Sequence, residues 1–134
     1  MLTITREFHF HAAHRLQLNT LSPEENQKLY GSCARLHGHT YRLQVSVAGP
    51  LRENGMIIDF CELKRLVKET ILDRYDHRLL NELDEFRDKP ATAENMVLSI
   101  FGQLAPRLQQ EGLKLTAVTV FETPTSSATI TANA

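Results

Sequence analysis

Two stretches in which apolar and polar residues alternate, 3–11 and 39–47, constrain this chain more than any other feature. Successive side chains on an extended strand point to opposite faces, so a period of two marks strands with one buried and one wet face. In the first stretch Ile4, Phe8 and Phe10 share one parity, and Thr3, Thr5, Glu7, His9 and His11 share the other. In the second, Tyr41, Leu43, Val45 and Val47 form the apolar face. Such strands need a second layer to bury that face. After Asp59, read as an N-cap with Glu62 as its reciprocal partner, Phe60, Leu63, Leu66, Val67 and Ile71 form a helical stripe. A second helix is predicted from Thr92, with Ala93, Met96, Val97, Ile100, Phe101 and Leu104 as its stripe and Pro106 kinking or ending it. Leu115–Phe121 and Ser127–Thr131 again read as strands, Asn54-Gly55 as a turn, and 18–31 as a loop or short helical excursion. The order predicts an α+β fold: an antiparallel sheet with helices on one face, whose exposed edges favour oligomerisation.

The chain has 134 residues, a length for one domain with a core that needs no disulfide staples. Its net charge of −1 provides no global field to draw in nucleic acid or an anionic membrane. With no charged-then-apolar leader and no run long enough to span a bilayer, the expectation is a cytoplasmic protein. Its two cysteines, Cys33 and Cys61, then stay as free thiols.

Chemistry concentrates on the strands. His37 and His39 share the parity of Tyr41 and Leu43, so both point toward the interior. His14 shares the parity of Phe8, Phe10 and Ala12, whereas His9 and His11 lie on the polar face. Parity therefore selects His14, His37 and His39 as a three-ligand metal set, the open arrangement of catalytic zinc. The competing reading is three unrelated histidines bonded within the core. Cys33 has two readings, a fourth ligand closing a structural zinc site or a thiolate held near the metal as base or nucleophile. In Asp76-His77 a carboxylate adjoins an imidazole, which reads either as a general acid or base or as an ordinary surface or helix-end pair. Glu122 sits at a strand end on the apolar Val118 and Val120 side, where its carboxylate needs paired donors such as a guanidine-like heterocycle edge. Thr92 and Glu94 extend that pocket or simply cap the second helix.

Six ordered strings run through nearly the whole chain: F-x-F-x-A-A-H-R-L, C-x-x-x-H-G-H, G-M-I-I-D-F-x-E-L-K, Y-D-H-R-L-L-N, P-A-T-A-E-N and F-E-T-P-T. Together they resemble the 6-pyruvoyltetrahydropterin synthase family, and within it the bacterial 6-carboxytetrahydropterin synthases of queuosine biosynthesis. The resemblance implies the tunnelling fold, a four-stranded antiparallel sheet with two helices on one face. It implies trimers or dimers of trimers, with active sites at subunit interfaces. It further implies zinc on His14, His37 and His39, with Cys33, Asp76 and His77 as catalytic groups. Glu122 would anchor the pterin, and the Thr92–Glu94 segment would line the pocket. His9 and His11 lie outside the family pattern, and the 17–31 segment is longer than in compact members.

The spacing from Cys33 to His37 is that of the queuosine branch. The resemblance thus implies conversion of 7,8-dihydroneopterin triphosphate to 6-carboxy-5,6,7,8-tetrahydropterin, with release of acetaldehyde and triphosphate. Two rivals are 6-pyruvoyltetrahydropterin synthase activity and a non-catalytic zinc protein closed by Cys33.

Overall fold

In the computed structural model, which describes residues 1–133, five strands form one sheet. They are β1 (Thr3–His14), β2 (His37–Ala48), β3 (Arg78–Leu79), β4 (Lys114–Thr123) and β5 (Ser126–Thr131), ordered β3-β1-β2-β4-β5. A fifth, very short strand joins the four expected ones. It is β3, two residues long and parallel to β1 at Ala12 and Ala13, and too short to leave a periodic signal. The other pairings are antiparallel. The β1–β2 register is unbroken from Thr3↔Ala48 to His14↔His37, which places Ala12 opposite His39 and Phe10 opposite Tyr41.

Parity sorts the two faces as expected. Phe8, Phe10, Ala12, Tyr41, Leu43, Val45, Val47, Val118 and Val120 are buried, and Leu63, Leu66, Val67, Met96, Val97, Ile100 and Leu104 close over them from the helices. The opposite face is polar. Thr5 meets Ser46, Gln44 meets Glu7, and Thr119 meets Thr129 in cross-strand hydrogen bonds.

The 18–31 segment contains α1 (Pro23–Tyr30), opened by Ser22 and Glu25 in a reciprocal capping box. Asn26, the buried residue of this helix, bonds the backbone of Leu18 and Leu21. At α2 (Phe60–Val67) Asp59 does cap, accepting from Cys61 N, but Glu62 turns outward to Arg65 instead of back to the cap. Phe60 is likewise exposed rather than part of the stripe.

Helix α2 runs through a wide π turn, Lys68–Leu72, into α3 (Asp73–Tyr75). The buried row Leu63, Val67, Ile71 and Tyr75 recurs every four residues. In a regular helix that spacing drifts by roughly 40° per step, and the wide turn takes up the drift. Helix α4 (Ala93–Gln110) is capped by Thr92 and continues past Pro106; the residue four earlier, whose carbonyl the proline ring crowds, is Gly102.

Candidate active site

His14 ends β1, and His37 and His39 begin β2, so the register alone brings three imidazoles together at one end of the helix-packed face. Their ring centroids lie 4.6, 5.2 and 4.9 Å apart in pairs, and one ligand atom from each falls within 4.8 Å of the others. Two of the rings are aimed by backbone carbonyls. Nδ1 of His14 donates to Ala91 O at 2.8 Å, and Nδ1 of His37 donates to Arg35 O at 2.6 Å. Each bond fixes a tautomer whose Nε2 carries a free lone pair, the usual outer-shell arrangement behind a metal-bound histidine.

Whether these residues suit a cation can be judged from what their nitrogens lack. His14 Nε2 and His39 Nε2 are buried without any hydrogen-bond partner. Glu122 Oε1 lies 3.4 Å from each. Burial holds both imidazoles below the ordinary histidine range, so they stay neutral at neutral pH. Neutral, unpaired nitrogens on His14 and His39, converging with that of His37, fit a divalent transition metal, and a three-histidine set leaves a coordination position open. Such a set also suits copper, nickel or iron, so the donors define a metal site without naming its ion.

Cys33 stands apart from this cluster of ligand atoms. It lies on the 3₁₀ turn Gly31–Ala34, its thiol is exposed, and its carbonyl accepts from Leu16 N at 2.8 Å. That bond ties the cysteine turn to the segment just beyond His14. The four-ligand closed site therefore has three members in this geometry.

Asp76 and His77 follow α3. His77 Nδ1 lies 2.9 Å from Asp76 Oδ2, leaving Nε2 free. The backbone of His11 clamps the pair from both ends: its N–H donates to Asp76 Oδ1 at 2.9 Å, and its carbonyl accepts from His77 N at 2.6 Å. The His11 amide is the main reason the Asp76 carboxyl is held below its usual range. Among the described residues His77 alone of the non-glycines has positive φ, at 59°, a conformation held by these clamps.

Glu122 leans from β4 toward the histidines, as above. Thr92 caps α4 by accepting from Asn95 N at 3.2 Å, and Glu94 lies in the same first turn. Since the neighbouring Ala91 carbonyl orients His14, the start of α4 abuts the histidine cluster. The orienting carbonyls of Ala91 and Arg35 escape sequence reasoning, because a main-chain acceptor carries no residue type. Asn81 was also missed: its side chain bonds both the N–H and the carbonyl of Arg15, pinning the chain beside His14.

An α+β sheet with three imidazoles converging at one end defines a protein with a metal-competent site. The profile of the family described as 6-pyruvoyl tetrahydropterin synthase matches residues 3–133, and the chain belongs to that family. It is 42% identical over 108 residues to 6-pyruvoyl tetrahydrobiopterin synthase of Dictyostelium discoideum, covering 79% of this chain and 80% of the relative. It is 33% identical over 148 residues to 6-carboxy-5,6,7,8-tetrahydropterin synthase of Haemophilus influenzae, covering 94% and 96%. The solved 6-pyruvoyl tetrahydropterin synthase of Caenorhabditis elegans superposes with a TM-score of 0.88 at 32% identity, covering 98% of this chain and 96% of that one. Among the described residues no helix is long and apolar enough to cross a membrane.

Proposed function

We propose that this protein is a zinc-dependent 6-carboxytetrahydropterin synthase, converting 7,8-dihydroneopterin triphosphate to 6-carboxy-5,6,7,8-tetrahydropterin, acetaldehyde and triphosphate for queuosine biosynthesis. The observation that carries the choice within the family is the short link from Cys33 to His37, the three residues Ala34, Arg35 and Leu36.

His14, His37 and His39 hold the metal, which when bound supplies Lewis acidity to the substrate's side-chain oxygens. Cys33 as thiolate takes a proton from the adjacent carbon. His77 exchanges a proton at the neighbouring carbon, with Asp76 holding its Nδ1 and compensating the charge of the imidazolium. Glu122 receives the paired N–H and NH₂ donors of the pterin edge, a bidentate pairing that offsets its desolvation. The first turn of α4, with Thr92 and Glu94, walls the same pocket.

The histidine cluster lies on the helix-packed face, whereas the His77 ring packs on His11 of the open face, with centroids 5.6 Å apart. We read Cys33 and the Asp76–His77 pair at each site as coming from two copies of the chain in a trimer or dimer of trimers. The open edges support that assembly. Most of β1 has no strand on its outer side, and β5 has a free edge without charge or proline.

The 42% identity to the Dictyostelium enzyme favours a second reading, in which triphosphate is eliminated and the side chain rearranged with no two-carbon fragment lost. Product analysis on dihydroneopterin triphosphate with zinc-loaded protein separates the two. One acetaldehyde per substrate consumed is expected; full turnover without acetaldehyde assigns the second reading.

A further inference from the structure

His11 belongs to no motif that the proposed chemistry uses, yet it touches every part of the Asp76–His77 unit. Its main chain makes both clamps described above. Its imidazole faces that of His77 with centroids 5.6 Å apart and planes inclined at 65°. Its Nδ1 is 3.0 Å from Thr40 Oγ1 on the neighbouring strand, which fixes the ring and leaves Nε2 free. His77 has the same polarity, with Nδ1 engaged by Asp76 and Nε2 free. Both rings line one open cavity of about 550 Å³, together with Gly38, His39 and Thr40.

We propose that His11 is a proton-relay residue that reprotonates His77 from solvent, a role resting on the reading of His77 as the acid–base group. At the observed separation, ring nitrogens turned toward each other come within direct hydrogen-bond reach or one water of it. The step balances as a proton transfer. Protonated His11 holds Nδ1–H on Thr40 and gives its Nε2 proton to Nε2 of His77, which has just delivered its own proton to substrate. Asp76 keeps the Nδ1 proton of His77 throughout, and His11 is recharged from the open face. The strand pattern supports the assignment: His11 is on the wet face, where an imidazole meets solvent, and is three residues from the buried His14.

The two clamps are main-chain bonds, so replacing His11 leaves them in place. His11→Ala is expected to keep wild-type metal content and KM within about twofold, while kcat drops about tenfold, less than the roughly 10²–10⁴ of a direct acid–base group. Added imidazole, admitted by the cavity, should restore most of that loss in His11→Ala and do nothing for His77→Gln. His11→Gln, which fills the space but carries no proton, should show the same loss in kcat with weaker rescue. Wild-type kcat in both His11 variants, or a loss that imidazole does not repair in His11→Ala, overturns the relay while leaving His77 as the acid–base group. A His77→Gln enzyme as active as wild type removes the underlying reading, and the relay with it.

Discussion

His14 Nε2 and His39 Nε2 have lost water without gaining a hydrogen bond, which is costly for buried polar atoms unless another partner replaces it. A cation is such a partner, and the carbonyls behind His14 and His37 already hold the rings in the required tautomer. Cys33 contributes nothing to this balance. Cys33→Ala should therefore bind zinc with wild-type stoichiometry and gain the same thermal stabilisation from it, about 2.7 kcal/mol at a hundredfold excess over Kd. Its turnover should fall by at least roughly 10²-fold. His39→Ala should lose both the metal and that stabilisation, as read by metal analysis and thermal denaturation. Lost zinc in Cys33→Ala would reinstate the closed four-ligand site. Strand parity was enough to pick His14 over His9 and His11, because the β1 register has no bulge to shift it. The thiol's distance from the cluster was not legible, since a turn and not a strand carries it.

At the scale of elements, the Asp76–His77 corner is held by a helix that changes its winding. The π turn brings Tyr75 into the core, where its hydroxyl meets Glu85, Ser99 and Gln103, while Arg74 pairs with the same Glu85. This network ties α3 to α4 one residue before Asp76. Neither the π turn nor β3 was readable from periodicity, because an inserted register shift and a two-residue strand have no period of their own. The strands and the two main helices were readable, since each carries a long one-sided stripe. Arg74 is the chief cause holding the Glu85 carboxyl down at about 2. A depressed carboxyl contributes stability above its unfolded value of 4.5 and loses it as pH falls through about 2. The contribution is up to about 3 kcal/mol at neutral pH, less where solvent screens the half-exposed Arg74. In metal-free protein, Glu85→Gln should be less stable than wild type at pH 7. The gap should narrow between pH 4.5 and 2, as read by denaturant unfolding at several pH values. A gap independent of pH would assign the network to packing rather than charge.

At the scale of the molecule, the sheet presents two different surfaces at one end. Its buried face carries the histidine cluster, and its open face carries His11 with His77 against it. Within one copy the Asp76–His77 pair stands beside His11 at the open face, and of the proposed metal donors only His39 also borders the cavity there. In the proposed assembly, pairing of the free β1 and β5 edges between copies would curl the sheets into a closed ring and remove both edges. Under that proposal the open-face groups of one copy would meet the Cys33 turn of the next. Light scattering should then give a mass that is a multiple of three chains. A sharper test uses two inactive variants, Cys33→Ala and His77→Gln, unfolded together and reassembled. If each site draws Cys33 from one copy and His77 from another, mixed assemblies contain some sites with both groups intact, and activity reappears on mixing. If each site lies within one chain, every site keeps one defect whatever its neighbours, and the mixture stays as inactive as its parents. Recovery should depend on co-assembly, because folded variants mixed without subunit exchange contain only uniform oligomers.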